Sequence, residues 1–374
     1  MPTRRRLGKF ARMPLDGGPA GCMMPPIEGW MPLQLRHNND KERAMQSTLR
    51  RSGLVAVVVF GMFVLPGFVG LAVAQDETPI GPVCWPSEWG PDDQRGAANR
   101  ITPAKVMEAV SLIREGKIYQ LGRVYEHGMS MPGKRHYSIT IPGLPTYQPF
   151  ADNQIIGNDE IVSAEIGQVG TQFDGLGHVG VQVGDDEIFY NGNKLADFGD
   201  AYGLKRLGIE HAGVFFTRGV LLDVAAYKGV DRLEGGYVIT IDDIEGTLSR
   251  QGVDIGEGDV IMFHTGHGSL WMTDNDAYGG PVPGPSVTTV KWLIEKKPVM
   301  LASDTWPVEA VPGEDPDRAF ESHQHLLVCN GIYIHENLDT AALAADQVYE
   351  FAYIFSPLRL KGATGSPGNP IAVR

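Results

Sequence analysis

Apolar positions along this chain repeat with two periods, and the change from one to the other divides it into short elements. Thr102-Pro103 predicts a helix opened by a capping side chain and a first-turn proline, with Val106, Ala109, Val110 and Ile113 on one face and Gly116 as its end. Residues 118–121 and 161–166 predict short strands. Two buried strands are expected at 214–216 and 220–224, divided by Thr217-Arg218-Gly219. Thr240 predicts a helix start with Asp243 at the capping-box position and Ile241, Ile244 and Leu248 inward. A strand over 259–264 runs into Thr265-Gly266-His267-Gly268, and Ser286 opens a helix with Val287, Val290, Leu293 and Ile294 inward, ended by Pro298. Residues 299–302 read as a strand delivering Asp304-Thr305-Trp306; residues 319–328 read as a helix stopped near Gly331, with a strand at 332–334. Several strands lie too close together for a regular wound sheet, so the expected class is α+β, or irregular α/β. Over residues 126–158 the periodicity dissolves, as in a covering loop or a flexible insertion.

Ahead of this pattern, residues 53–73 form an apolar run without charge, preceded by Arg50-Arg51 and followed by Ala72-Val73-Ala74. A basic start, an apolar core and an Ala-x-Ala exit are the parts of a secretory signal peptide, expected here over 45–74. A membrane anchor is the rival, since roughly 20 apolar residues span a bilayer; Pro66 and the interior glycines favour the signal. Residues 1–44, basic and rich in Pro and Gly, are a disordered lead or precede the true start at Met45. The working domain is then 75–374, placed in the periplasm or secreted, with no stable membrane association after cleavage.

Charge narrows the partners. Residues 76–374 hold 22 Lys/Arg and 41 Asp/Glu, a formal net of −19, which repels nucleic acid and anionic membranes. Nucleic acid is set aside as a partner. The cysteines are Cys22, Cys84 and Cys329, without a Cys-x-x-Cys pair, so a thiolate zinc site is excluded. Cys84 and Cys329 have the option of pairing in an exported protein, but Cys329 sits in an apolar run and reads as a buried thiol.

The densest chemistry is in Gln168-Val-Gly-Thr-Gln-Phe-Asp-Gly-Leu-Gly-His178, where a carboxylate, an imidazole and two amides share a glycine-rich stretch after the 161–166 strand. Oxygen and nitrogen donors on such a loop suit a metal or a polar substrate, and equally a polar turn. The stretch resembles the signature of the cyclase family that includes bacterial kynurenine formamidases and isatin hydrolases: His-x-Gly-Thr-His-x-Asp-x-Pro-x-His. Gly170, Thr171, Asp174 and His178 match, while Gln168 and Gln172 stand at the two early His positions and Leu176 at the Pro position. A second block of that family matches at His323, Leu326, Leu327, Gly331, Ile332, Glu336, Asn337 and Leu338. The likeness covers roughly residues 85–360.

This resemblance implies a single swivelling β/β/α domain with a barrel-like sheet. It also implies one or two divalent metal ions held by Gln168, Gln172, Asp174, His323 and Glu336. Amide oxygens are neutral and weaker than imidazole, so the two Gln positions shift preference from Zn²⁺ toward Mn²⁺. His325 is the rival to His323, but helical spacing turns it roughly 200° away. The implied chemistry is hydrolysis of an amide, lactam or lactone in a small cyclic or aromatic molecule by metal-activated water, with His178 as general acid/base and Glu336 at the reacting centre. His267, Trp271 and Trp306 are candidate substrate contacts, and a homo-oligomer is expected. Two other readings stand beside this one: a non-catalytic periplasmic binding protein on the same scaffold, and a metal-dependent lyase.

Overall fold

The computed structural model describes residues 77–374; the lead at 1–44 and the signal peptide expected at 45–74 lie outside them. No helix among the described residues is long and apolar enough to cross a membrane.

Nine strands form one curled sheet: β1 (Ile118–Gln120), β2 (Gln172–Asp174), β3 (Phe215–Asp223), β4 (Val260–His264), β5 (Met300–Ser303), β6 (Tyr333–Glu336), β7 (Glu350–Phe355), β8 (Gly365–Pro367) and β9 (Ile371–Val373). Their order across the sheet is β8-β2-β6-β5-β4-β3-β7-β9-β1. The central four, β6-β5-β4-β3, are parallel, and every strand outside them pairs antiparallel. Parallel strands buried on both faces need continuous apolar sequence, which Val260–His264 and Met300–Ser303 supply almost without a polar break. The architecture is thus the α+β class expected, with the sheet curled into a half-barrel.

Three helices follow their caps. In α1 (Pro103–Ser111) the Thr102 side chain accepts from the Lys105 amide. Thr240 and Asp243 make a reciprocal capping box on α2 (Ile241–Gln251), and Ser286 caps α3 (Val287–Ile294). The buried face of α1 differs from expectation. Val110 and Ile113 are exposed, and the helix turns Ala109 and Lys105 inward. The Lys105 ammonium pairs there at 2.5 Å with the buried Asp259 carboxylate, which Arg218 also meets at 2.9 Å. A charged residue replaced the apolar stripe because a buried carboxylate needs partners.

Four local expectations change. The strands at 214–216 and 220–224 are one nine-residue strand, β3, because Thr217-Arg218-Gly219 pairs with β7 without interruption. The helix at 319–328 is a single turn, Glu321–His323, that widens into a π-helix over Gln324–Cys329. Gln172–Asp174 is a strand where a loop was expected. The 161–166 segment lies outside the main sheet: Ile161–Ala164 pairs with Tyr137–Thr140 in a separate ribbon.

Cys84 and Cys329 form a disulfide, so Cys329 is not the free thiol its apolar surroundings suggested. Their separation of 245 residues gave no local sign of the pairing. In the chain-entropy picture, closing so long a loop stabilises by about 5 kcal/mol, or roughly 10 °C in a domain of this size. Reduction, or Cys84→Ser, is expected to lower the melting temperature by that order; equal melting curves with and without reductant would remove the bond from the stability account.

Candidate active site

The site is built on the pleat of two neighbouring strands. In the β2–β6 ladder Gln172 lies opposite Glu336, and Asp174 opposite Ile334. Because side chains alternate across a strand, Gln172, Asp174 and Glu336 share one face while Phe173 and His335 share the other. The second face is core: Phe173 stacks on Tyr333 with centroids 5.0 Å apart and meets His335 edge-on at 5.5 Å. Burial pushes the His335 imidazole down to about 3, which fixes it as a neutral core histidine bonded to the Tyr353 hydroxyl. Gly170 makes the approach to β2 possible. It has φ +61°, and a Cβ there would stand 2.7 Å from the Tyr125 ring.

The polar face opens into a cavity of about 280 Å³ lined by Arg135, Gln168, Gln172, Asp174, His178, Val179, Trp306, Pro307, Ala319, Phe320, His323, Gln324 and Glu336. The structure therefore brings together, from the blocks at 168–178 and 323–336, all five expected ligands and the expected acid/base His178, with one expected contact, Trp306. It leaves two others outside. His267 is buried with its Nε2 on the Tyr278 carbonyl at 3.0 Å, and burial pushes its imidazole below the usual range. Trp271 packs edge-on against Tyr278, under the Arg123 guanidinium. Both serve the packing of the 267–278 segment. His325 turns away from the cavity to Glu321, with 3.1 Å between Nε2 and Oε1.

Asp174, His323 and Glu336 each offer one ligand atom, all within 4.8 Å of one another. His323 Nε2 lies 3.2 Å from Glu336 Oε1 and 3.8 Å from Asp174 Oδ2. The two amides reach the same carboxylates as donors: Gln168 Nε2 to Asp174 Oδ1 at 2.9 Å, and Gln172 Nε2 to Glu336 Oε2 at 2.5 Å. The Gln168 carbonyl in turn accepts from the Arg135 guanidinium at 3.3 Å. Two atoms are left over. Asp174 Oδ2 and Gln172 Oε1 are buried without a hydrogen-bond partner. Burial, then the Asp174 charge, pushes the Glu336 carboxyl up to about 8. Two facing buried carboxylates and two orphaned oxygens have the charge and the donors that a divalent cation satisfies, so the residues present fit such an ion.

A residue that sequence reasoning missed aims His323. Glu309 is buried, and its Oε1 faces His323 Nδ1 at 2.5 Å and the His323 amide at 3.2 Å. The Nδ1 proton is thereby held toward Glu309 and Nε2 is turned to the carboxylate pair, the carboxylate–histidine arrangement common behind metal ligands. Burial alone would lower the His323 pKa, but Glu309 and Glu336 raise it well above the ordinary value. The available signal was a lone carboxylate inside Trp306-Pro-Val-Glu-Ala-Val-Pro312. Arg135, from the aperiodic 126–158 segment, gave none.

His178 stands at the cavity wall with Nε2 3.8 Å from Asp174 Oδ1. Burial lowers its pKa, Asp174 opposes this, and His323 and Arg135 add to the lowering, so the imidazole is neutral near pH 7 and able to accept a proton. Phe320 meets Trp306 at 6.0 Å and His323 at 5.6 Å, forming the apolar side of the pocket. Three residues beside the site, Val308, Phe320 and Asn337, have φ between 51° and 59°, in the region non-glycine residues avoid.

The family model described as "Putative cyclase" matches residues 121–310. A solved structure of a novel cyclase is 34% identical with a TM-score of 0.68, the match covering 76% of this chain and 96% of that one. Isatin hydrolase A from Ralstonia solanacearum shares the fold at 19% identity and a TM-score of 0.51, over 73% of this chain and 97% of its own. Isatin hydrolase A from Labrenzia aggregata does so at 18% and 0.50, over 71% and 94%. No curated protein matches the chain.

Proposed function

The chain belongs to the cyclase family, and on that premise we propose that it is a metal-dependent hydrolase whose ion sits among Asp174, His323 and Glu336. The observation that carries this reading is the convergence of those three donors around the partnerless Asp174 Oδ2 in a buried pocket. A bound divalent ion supplies polarisation of a carbonyl and a water acidic enough to react near neutral pH. The chain's own residues do the rest. His178 takes a proton from the attacking water and returns it to the departing nitrogen or oxygen as the C–N or C–O bond breaks. Trp306 and Phe320 bound a space that suits a flat ring, and a cavity of about 280 Å³ limits the substrate to a small amide, lactam or lactone. Arg135 holds Gln168, Gln168 holds Asp174 and Gln172 holds Glu336, so both amides keep the carboxylates in place whether or not Gln172 Oε1 also ligates.

Metal analysis of the purified protein, followed by mass spectrometry of products from a panel of lactones and aryl amides, tests this. Bound divalent metal, with a ring-opened lactone heavier by one water or an acid and an amine whose masses sum to the aryl amide plus one water, supports it. A product that has lost a group without gaining water replaces hydrolysis with elimination, and a metal-free protein that binds ligand unchanged makes it a binding protein.

The donor set also sets metal choice. Two carboxylates, one imidazole and an amide oxygen form a harder site than one with further histidines, favouring Mn²⁺. Gln172→His is expected to raise Zn²⁺ affinity relative to Mn²⁺ in competitive dialysis. Equal retention of both metals by variant and parent would take Gln172 out of contact with the ion. The reading includes export to the periplasm or outside, which the Cys84–Cys329 disulfide supports because such bonds persist in oxidising compartments. N-terminal sequencing is expected to find Gln75 first; the uncleaved chain in the membrane fraction would favour an anchor instead.

A further inference from the structure

Arg135 is the permanent cation on the wall of the active-site cavity, and most of its hydrogen-bonding capacity is unspent. A guanidinium carries five N–H donors in a planar fork. Arg100, Arg123 and Arg218, half-buried like Arg135, each pair with a carboxylate and also donate to a backbone carbonyl. Among the described residues Arg135 does neither. Its side chain makes one hydrogen bond, the long contact of 3.3 Å to the Gln168 amide oxygen. The fork is held in place all the same. The neighbouring His136 amide donates to the Glu165 carboxylate at 2.7 Å, and the His136 ring meets that carboxylate at 3.0 Å. The Gln168 backbone amide donates to the Glu165 carbonyl at 2.7 Å. Arg135 and Gln168 are thus fixed to one another through Glu165, so little is left to order when a ligand arrives.

Charge decides what the free donors take. Besides its histidines, the charged residues lining the cavity are Arg135, Asp174 and Glu336. A divalent ion bound to the two carboxylates cancels them, His323 ligates as a neutral ring, and burial keeps His178 neutral near pH 7. One positive charge then remains, on Arg135. The acidic surface of the domain acts from outside, and salt screens exposed charges beyond about 8 Å. Geometry narrows the anion further. Arg135 reaches Gln168, and Gln168 reaches Asp174 at 2.9 Å, so one amide group separates the guanidinium from a carboxylate proposed to hold the ion. Trp306 and Phe320 wall the same cavity and suit a ring. A planar carboxylate matches the fork with two parallel N–H···O bonds, a geometry that a lysine does not offer.

We propose that Arg135 binds a carboxylate that the substrate carries before cleavage, so that the substrate is an anionic ring compound with its acid a few bonds from the amide or ester carbonyl. The reaction in this statement rests on the hydrolase reading; the anion site does not. Isothermal titration of the protein in Mn²⁺ with benzoate and with benzamide separates charge from ring. Benzoate is expected to bind tighter than benzamide. Arg135→Met, which keeps an apolar stem, should weaken benzoate by about 10–100-fold and leave benzamide alone. Arg135→Lys should recover part of the loss, as a point charge without the fork. Among the amides and lactones turned over, those with a ring carboxylate should have a lower KM than their uncharged analogues, and Arg135→Met should remove the difference. Benzoate held equally by parent and Arg135→Met overturns the proposal and leaves the anion to the metal alone. An Arg135→Met protein that loses metal along with benzoate also overturns it, making Arg135 a prop for Gln168, as does a KM indifferent to the carboxylate. A parent that binds benzoate through Arg135 yet hydrolyses nothing keeps the anion site and ends the hydrolase reading.

Discussion

Asp174→Asn and Glu336→Gln are expected to lose metal and turnover together, while His178→Ala keeps the metal and loses turnover by ~10²–10⁴-fold, the usual size of a general acid/base contribution. The division follows from position. Asp174 and Glu336 are buried with their oxygens converging on His323 Nε2, so either substitution removes a charge the ion needs. His178 is partly exposed at the cavity wall, and its nearest carboxylate contact is 3.8 Å away. Metal binding stabilises a folded site by mass action. Both carboxylate variants should therefore melt below the metal-loaded parent, and His178→Ala beside it. Three measurements per variant suffice: metal content, a melting curve and a rate. A metal-free His178→Ala would make His178 a ligand. Full turnover in His178→Ala on the true substrate would remove its proton-transfer role and leave Glu336 as the next candidate.

The parts of this arrangement that were legible in the sequence are those written in local pattern. Caps at Thr102, Thr240 and Ser286 and the apolar runs at Val260–His264 and Met300–Ser303 depend on neighbours within a few residues, and the elements formed there. The two motif blocks located Asp174, His178, His323 and Glu336, and the fold joins them through a single antiparallel ladder. What was hidden depends on partners far away. Gln172–Asp174 reads as a polar loop because three residues between Gly170-Thr171 and Gly175 carry no period; it is a strand only because β6 and β8 complete its hydrogen bonds on both sides. The Cys84–Cys329 bond and the Gln168–Arg135 contact are long-range in the same sense. The 126–158 segment lacked periodicity because a ribbon exposed on both faces has no buried side to mark with polar alternation.

Glu309→Gln is expected to weaken metal binding by ~10–100-fold, the range typical when the group behind a metal-bound histidine is altered. Glu309 touches neither the cavity carboxylates nor the proposed ion directly. Its effect runs through His323, whose Nδ1 and backbone amide both face Glu309 Oε1. With a neutral amide in its place the hydrogen bond to Nδ1 persists but loses its charge assistance, so Nε2 becomes a weaker donor and the ring is held less firmly. A merely structural role predicts a different result. If Glu309 served only to anchor the Pro307–Ser322 segment, through its contact with the Ser322 amide at 3.3 Å, then Glu309→Gln would lower the melting temperature of metal-free protein and leave metal affinity untouched. Competition against a chelator of known affinity, run beside melting curves of the metal-free forms, separates the two. Loss of affinity with an unchanged metal-free melting curve supports the aiming role, and unchanged affinity ends it. The site would then rest on the β2–β6 ladder alone, with His323 positioned by its short helical turn.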